Sequence, residues 1–154
     1  MWQRIQTLYL AIVVILSIVQ IFIPVAGITD LDTTVVYAYK GCHLVDAVTG
    51  SVALNAYFLP LLPIIIAIIA FVTILIYRKR ILQMRLCVIN MILAIGYYGY
   101  LYYHLFVARE NFTNAAIYWS MPSSFQLINF ILLILAFRNI AKDEALVRAA
   151  DRMR

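Results

Sequence analysis

The residues that could do chemistry are neutral polar side chains set at helical spacing inside four long apolar stretches. Ser17, Gln20 and Pro24 share one face of the first stretch. Asn90, Tyr97 and His104 stand seven apart on the third, and Ser123, Gln126 and Asn129 stand three apart on the fourth. Judged by position along each stretch, Ser17, Gln20, Tyr97, Tyr100 and Gln126 fall between the middle and the outer end, while Thr73 and Asn90 pair near the inner edge. Two readings follow. The simpler is hydrogen bonding between helices, about 0.6 kcal/mol per contact. The sharper is a polar pocket opening outward, lined by Ser17, Gln20, Tyr97, Tyr100, Gln126 and Asn129, able to hold a lipid-like or other apolar molecule.

Residues 96–104, GYYGYLYYH, are the most unusual in composition. Gly96 and Gly99 would let a neighbouring helix approach closely. The tyrosines surround the helix, so they cannot all face one partner. The deeper ones need hydrogen-bond partners, and the outer ones suit an aromatic belt at the headgroups. The alternative is an aromatic site for a quinone, haem or lipid. His43 and His104 are the only histidines, both placed outside or near the outer surface. Without a positioned carboxylate they make a weak metal or haem site, and no cofactor is expected. No spacing resembles a nucleophile elbow or a triad, and Cys87 reads as a small buried apolar residue, so no enzyme is expected. No Asp, Glu, Lys or Arg lies within the four stretches, so this chain alone offers no proton or ion relay.

These side chains must be positioned by a membrane-embedded scaffold. Hydrophobic residues make up 66% of the 154 and charged residues 12%. A soluble domain of this length could not hide so much apolar surface. The expected fold is an all-α membrane protein. It is a single domain over residues 1–154, a four-transmembrane-helix bundle with a small outer loop capable of β-structure and an amphipathic C-terminal helical extension. The helices are placed at about 5–26, 54–77, 86–107 and 120–137, each long enough to span a bilayer. Outer loops cover 27–53 and 108–119, a cytoplasmic turn 78–85 and a cytoplasmic tail 138–154. The first run is too long for a signal-peptide core and reads as a retained helix, with cleavage as the alternative. Thr33–Lys40 and Val48–Val52 read as two short strands or as an irregular loop. Pro60 and Pro63 either kink helix two or mark a late start. Ser120–Ser124 reads as a cap with proline in the first turn, and Ala115–Trp119 as a separate interfacial turn. Asn111-Phe112-Thr113 matches a glycosylation sequon that occurs often by chance.

The formal charge of +5 could suggest nucleic acid, but the basic residues flank apolar runs, so they are read as topology signals. Arg4, Arg78, Lys79, Arg80, Arg85, Arg138 and Lys142 fall at one end with the terminal arginines, and only Lys40 and Arg109 at the other. This places both termini in the cytoplasm, with Cys42 and Cys87 too far apart to pair. The expected partners are the lipid bilayer, anionic lipids drawn to the basic flanks, and other membrane proteins.

Residues 1–10, MWQRIQTLYL, and 140–154, IAKDEALVRAADRMR, are distinctive. With the four-span layout they resemble a family of small bacterial inner-membrane proteins classed as a domain of unknown function. The resemblance covers the whole chain. It implies a four-helix protein of the bacterial inner membrane and brings no activity, ligand or site residue with it. The layout also resembles that of claudin-like proteins, in topology only: their paired loop cysteines and Trp-Gly-Leu-Trp signature are absent. If helices one and four are neighbours, Gln3, Arg4 and Gln6 are expected to meet Lys142, Asp143 and Glu144. The leading functional reading is a non-enzymatic accessory or interaction subunit. A small carrier is the alternative, and a redox or enzyme subunit the third.

Overall fold

The computed structural model describes residues 3–30, 36–40, 43–46, 52–55, 57–76, 79–110 and 115–152. Four helices run through it: α1 (Gln3–Phe22), α2 (Phe58–Leu75), α3 (Arg80–Glu110) and α4 (Phe125–Arg152). All four are long and apolar enough to cross a membrane. Each is packed beside the helices before and after it in a closed ring, with α4 against α1. The first two are 20 and 18 residues long, close to the thickness of a bilayer's hydrocarbon core. The last two are 31 and 28 residues, about 46 and 42 Å, and extend beyond it.

The sorting of side chains is that of a bundle in lipid. Ala70, Cys87, Ala94 and Ala136 are buried between helices together with Leu10, Val13, Ile66, Leu133 and Ile140. Ile15, Ile18, Ile68, Phe71, Ile92, Ile95 and Ile131 face outward. In lipid no hydrophobic force drives helices together, so small inward residues that permit close van der Waals packing carry the association.

Strands connect and cap one end: β1 (Ala26–Asp30), β2 (Val36–Lys40), β3 (His43–Asp46), β4 (Val52–Asn55) and β5 (Ala115–Trp119). They form one antiparallel sheet in the order β4-β3-β2-β1-β5. The register shifts between Leu44 and Val45, where β3 meets β4. β1 pairs with β5 from Ala26↔Trp119 to Asp30↔Ala115, and the Ser120 amide continues the ladder to the Val25 carbonyl at 3.2 Å.

Several boundaries differ from those read in the sequence. The described parts of the outer loop carry the strands expected of it, and Ala115–Trp119 is a fifth strand of the same sheet rather than an interfacial turn. Helix one stops at Phe22, because residues 24–26 leave for β1. Helix two starts at Phe58, because Leu54 lies in β4; this late start sets Pro60 in the first turn, where its missing N–H is no loss. Pro63 lies inside α2 and leaves the Leu59 carbonyl without its helical donor. The basic segment is mostly helix: α3 begins at Arg80, six residues before the expected start. A 3₁₀ turn at Met121–Ser124 precedes α4, which then runs unbroken through the expected tail to Arg152. The sequon, Cys42, Arg78 and residues 48–51 of the expected second strand lie outside the described residues; Val52, the last residue of that segment, opens β4.

Candidate functional site

Two apolar cores lie along the bundle. One, next to the sheet, joins Val25, Ala26, Ile28 and Tyr39 to Leu59, Tyr97, Leu101, Leu105 and Ala108. The other fills the bundle nearer the termini. Between them α1 contributes Ser17 and Gln20, and α4 contributes Gln126 and Asn129, all buried. The three-residue spacing on each helix turns each pair inward together. The Asn129 amide donates to Ser17 Oγ at 3.0 Å and to Gln126 Oε1 at 3.2 Å. Four amide atoms of this layer have no partner among the described residues: both of Gln20, Gln126 Nε2 and Asn129 Oδ1.

Gln20 and Tyr97 face a cavity of about 10 Å³ lined also by Val25, Leu59, Pro60 and Pro63. That is about the space one water molecule needs. The Gln20 amide closes no hydrogen bond there, although Tyr97 lies against it. Tyr100 is not in this cluster: its ring packs edge-on to Phe58 at 6.2 Å and tilts over His104 at 4.5 Å.

The tyrosine-rich segment divides by depth. Tyr97 is buried in the core, and the Tyr98 hydroxyl donates to the Ser123 carbonyl at 2.7 Å, pinning the 3₁₀ turn to α3. Tyr102 and Tyr103 are exposed, as are Phe22, Tyr57 and Phe58 beside the strands in the chain and Trp119 at the end of β5. Gly96 and Gly99 do not admit a neighbouring helix of this chain. Both face outward, and a methyl group on either would meet nothing within 4 Å.

The sheet is locked to the bundle by Tyr39 of β2. Its side chain is fully buried and reaches α3, where its hydroxyl donates to the His104 carbonyl at 3.5 Å with the two rings edge to face. Burial pushes the Tyr39 hydroxyl up to about 12, with nearby Tyr100 adding to the effect. Tyr39 is thus a contact by which β2 reaches α3. Among the described residues no three His, Cys, Asp or Glu side chains converge.

The opposite end carries a second polar layer. The Gln6 amide donates to Asp143 Oδ2 at 2.5 Å, tying α1 to α4, which is the contact expected between the two ends of the chain. Arg80 Nη1 donates to the Asp143 carbonyl at 3.0 Å, and Gln83 Nε2 to the Thr73 carbonyl at 2.9 Å. These residues touch all four helices and enclose a cavity of about 30 Å³ with Thr7, Leu10 and Ile74. Thr73 and Asn90 do not form the expected pair. Thr73 Oγ1 donates back to Ile69, and the Asn90 amide reaches the Ile66 carbonyl at 3.2 Å. Gln83 is what meets Thr73. Its direction is set only by the helical start of α3 at Arg80; in a turn over 78–85 a glutamine has no set direction. Arg4 lies in the first turn of α1, and Arg138 and Lys142 are exposed on α4.

A ring of four apolar helices with polar side chains turned inward, capped by a sheet, defines a small four-helix membrane protein. The chain belongs to the family described as Domain of unknown function (DUF4293), whose profile matches residues 2–153. Comparison with curated proteins and with solved structures gives no match.

Proposed function

We propose that this is a four-span protein of the bacterial inner membrane with both termini in the cytoplasm, and that it serves without catalysis as an accessory or interaction subunit of a membrane complex. The orientation is supported by the crowding of arginine and lysine at the end opposite the sheet. The observation that carries the role is the sheet. Tyr39 seats it on the bundle, and among the described residues β5 pairs on one side only, with β1. A free strand edge is a row of unpaired donors and acceptors that another chain's strand can complete. Carrying a lipid-like molecule would require the cavity at Gln20 to widen far beyond its present 10 Å³.

Photo-crosslinking amino acids at the exposed Ala116 and Trp119 of β5, compared with one at the outward-facing Ile92, test this in native membranes. A discrete protein adduct from the strand positions, absent at Ile92, supports the interaction role. Strand positions that give only the lipid and background products seen at Ile92 refute it.

A further inference from the structure

Two grooves meet along the seam of α3 and α4 at the terminal end. The upper one, of about 700 Å³, is lined by Lys79, Arg80, Ile81, Leu82 and Arg85 of the α3 start and by Glu144 and Val147 of α4. Three cations there face one carboxylate. The lower one, of about 460 Å³, is lined by Ile81, Met84, Arg85, Val88, Ile89 and Phe137. Ile81 and Arg85 line both, so the two are continuous. The order of residues sets the direction. Moving from the upper to the lower groove, α3 advances from Lys79 to Ile89 while α4 retreats from Val147 to Phe137, from the helix ends toward the bundle centre.

We propose that this seam is a binding site for an anionic diacyl phospholipid of the surrounding leaflet, such as phosphatidylglycerol. Its phosphate sits in the cationic groove and one acyl chain lies along the apolar one. The match is in both charge and polarity. A cationic cup at headgroup level opens onto an apolar channel at chain level, which is the profile of a phospholipid rather than of a peptide or a free anion. Arg80 already gives one guanidinium nitrogen to the Asp143 carbonyl, so Lys79 and Arg85, both exposed, are the groups turned to the phosphate. Basic residues near a membrane surface attract anionic lipid, and a fixed cluster makes that attraction local. The site depends on the four helices crossing the bilayer and not on the accessory role, so a missing protein partner leaves it standing.

Native mass spectrometry of the purified full-length protein tests it, with phosphatidylglycerol and phosphatidylcholine of identical chains as probes. Wild type is expected to retain phosphatidylglycerol at much lower lipid concentration than phosphatidylcholine. Lys79→Gln/Arg85→Gln is expected to weaken phosphatidylglycerol retention by roughly 10- to 30-fold while leaving phosphatidylcholine unchanged. Val88→Trp, which fills the apolar channel and keeps every charge, is expected to weaken it as well. Arg138→Gln, outside both grooves, is expected to leave it intact. The site is refuted by equal retention of the two lipids, by an Arg138→Gln loss as large as that of the double variant, or by full retention in Val88→Trp, which would mark plain surface charge. If the double variant fails to fold, the wild-type comparison and Val88→Trp still decide.

Discussion

Two polar layers cross the bundle, one at the terminal end and one between the two apolar cores, and they are satisfied to different degrees. At the terminal end, Gln6, Arg80 and Gln83 donate to Asp143 or to backbone carbonyls and leave no buried side-chain atom over among the described residues; Asn90 Oδ1, further along α3, is unpartnered. In the middle layer, Asn129 serves Ser17 and Gln126, yet four amide atoms remain unpartnered. A buried polar atom without a partner costs about 1–3 kcal/mol, against about 0.6 kcal/mol gained from an average interhelical hydrogen bond. The terminal layer is therefore explained by helix pairing alone. The middle layer is not, and Gln20 is its unexplained member.

That contrast can be broken by substitution. The largest effect is expected from Asn129→Leu, which removes the shared donor and leaves Ser17 and Gln126 buried without it. Thermal unfolding in detergent should show a loss of about 1–3 kcal/mol. Gln20→Met keeps the volume and removes two unpartnered atoms, so it is expected to stabilise by about 1 kcal/mol. A loss of stability instead would show that Gln20 holds a bound group in the membrane. Gly99→Ala should stabilise by up to about 1 kcal/mol through helix propensity alone, since nothing stands near the added methyl. Destabilisation there would reveal a second chain packed on that face.

The smallest effect at neutral pH concerns Tyr39. Its hydroxyl contact is long, so Tyr39→Phe should change little near pH 7. Folding raises the pKa from the ordinary 10.0 to about 12, so the folded state holds this proton more tightly than the unfolded state does. Its contribution is complete below pH 10 and fades as pH climbs toward 12. Wild type should therefore lose sheet-end protection from protease over that window, and Tyr39→Phe should lose less. An identical alkaline decline in both would remove Tyr39 as the cause.

What could be read from the sequence follows physical range. The helices were legible because each is an apolar run without a charge, and the inward polar stripe because its spacing is local. The contact of Gln6 with Asp143 could be anticipated from two polar ends lying at one level. The sheet was only half legible. β2 lies within the predicted Thr33–Lys40 segment, but β1, β3 and β5 were not anticipated. Ala115–Trp119 lacks an alternating pattern, and its partner β1 lies on the far side of α2 and α3 in the chain, so no hairpin signal exists. Gly96 and Gly99 were misread because composition shows that a helix can be approached closely, not which face is approached. Tyr100 was grouped with the polar pocket for a related reason. It lies at a similar depth but turns toward Phe58 and His104.

The account stands on the sheet and the basic end lying on opposite sides of a membrane. Single cysteines at Ala116 on β5 and at Leu146 on α4, both exposed, report this directly when Cys42 and Cys87 are replaced. With a membrane-impermeant maleimide on cells whose outer barrier is opened, Ala116→Cys is expected to label at once and Leu146→Cys only after the inner membrane is broken. Labelling of Leu146→Cys in sealed cells, with Ala116→Cys protected, would contradict the account.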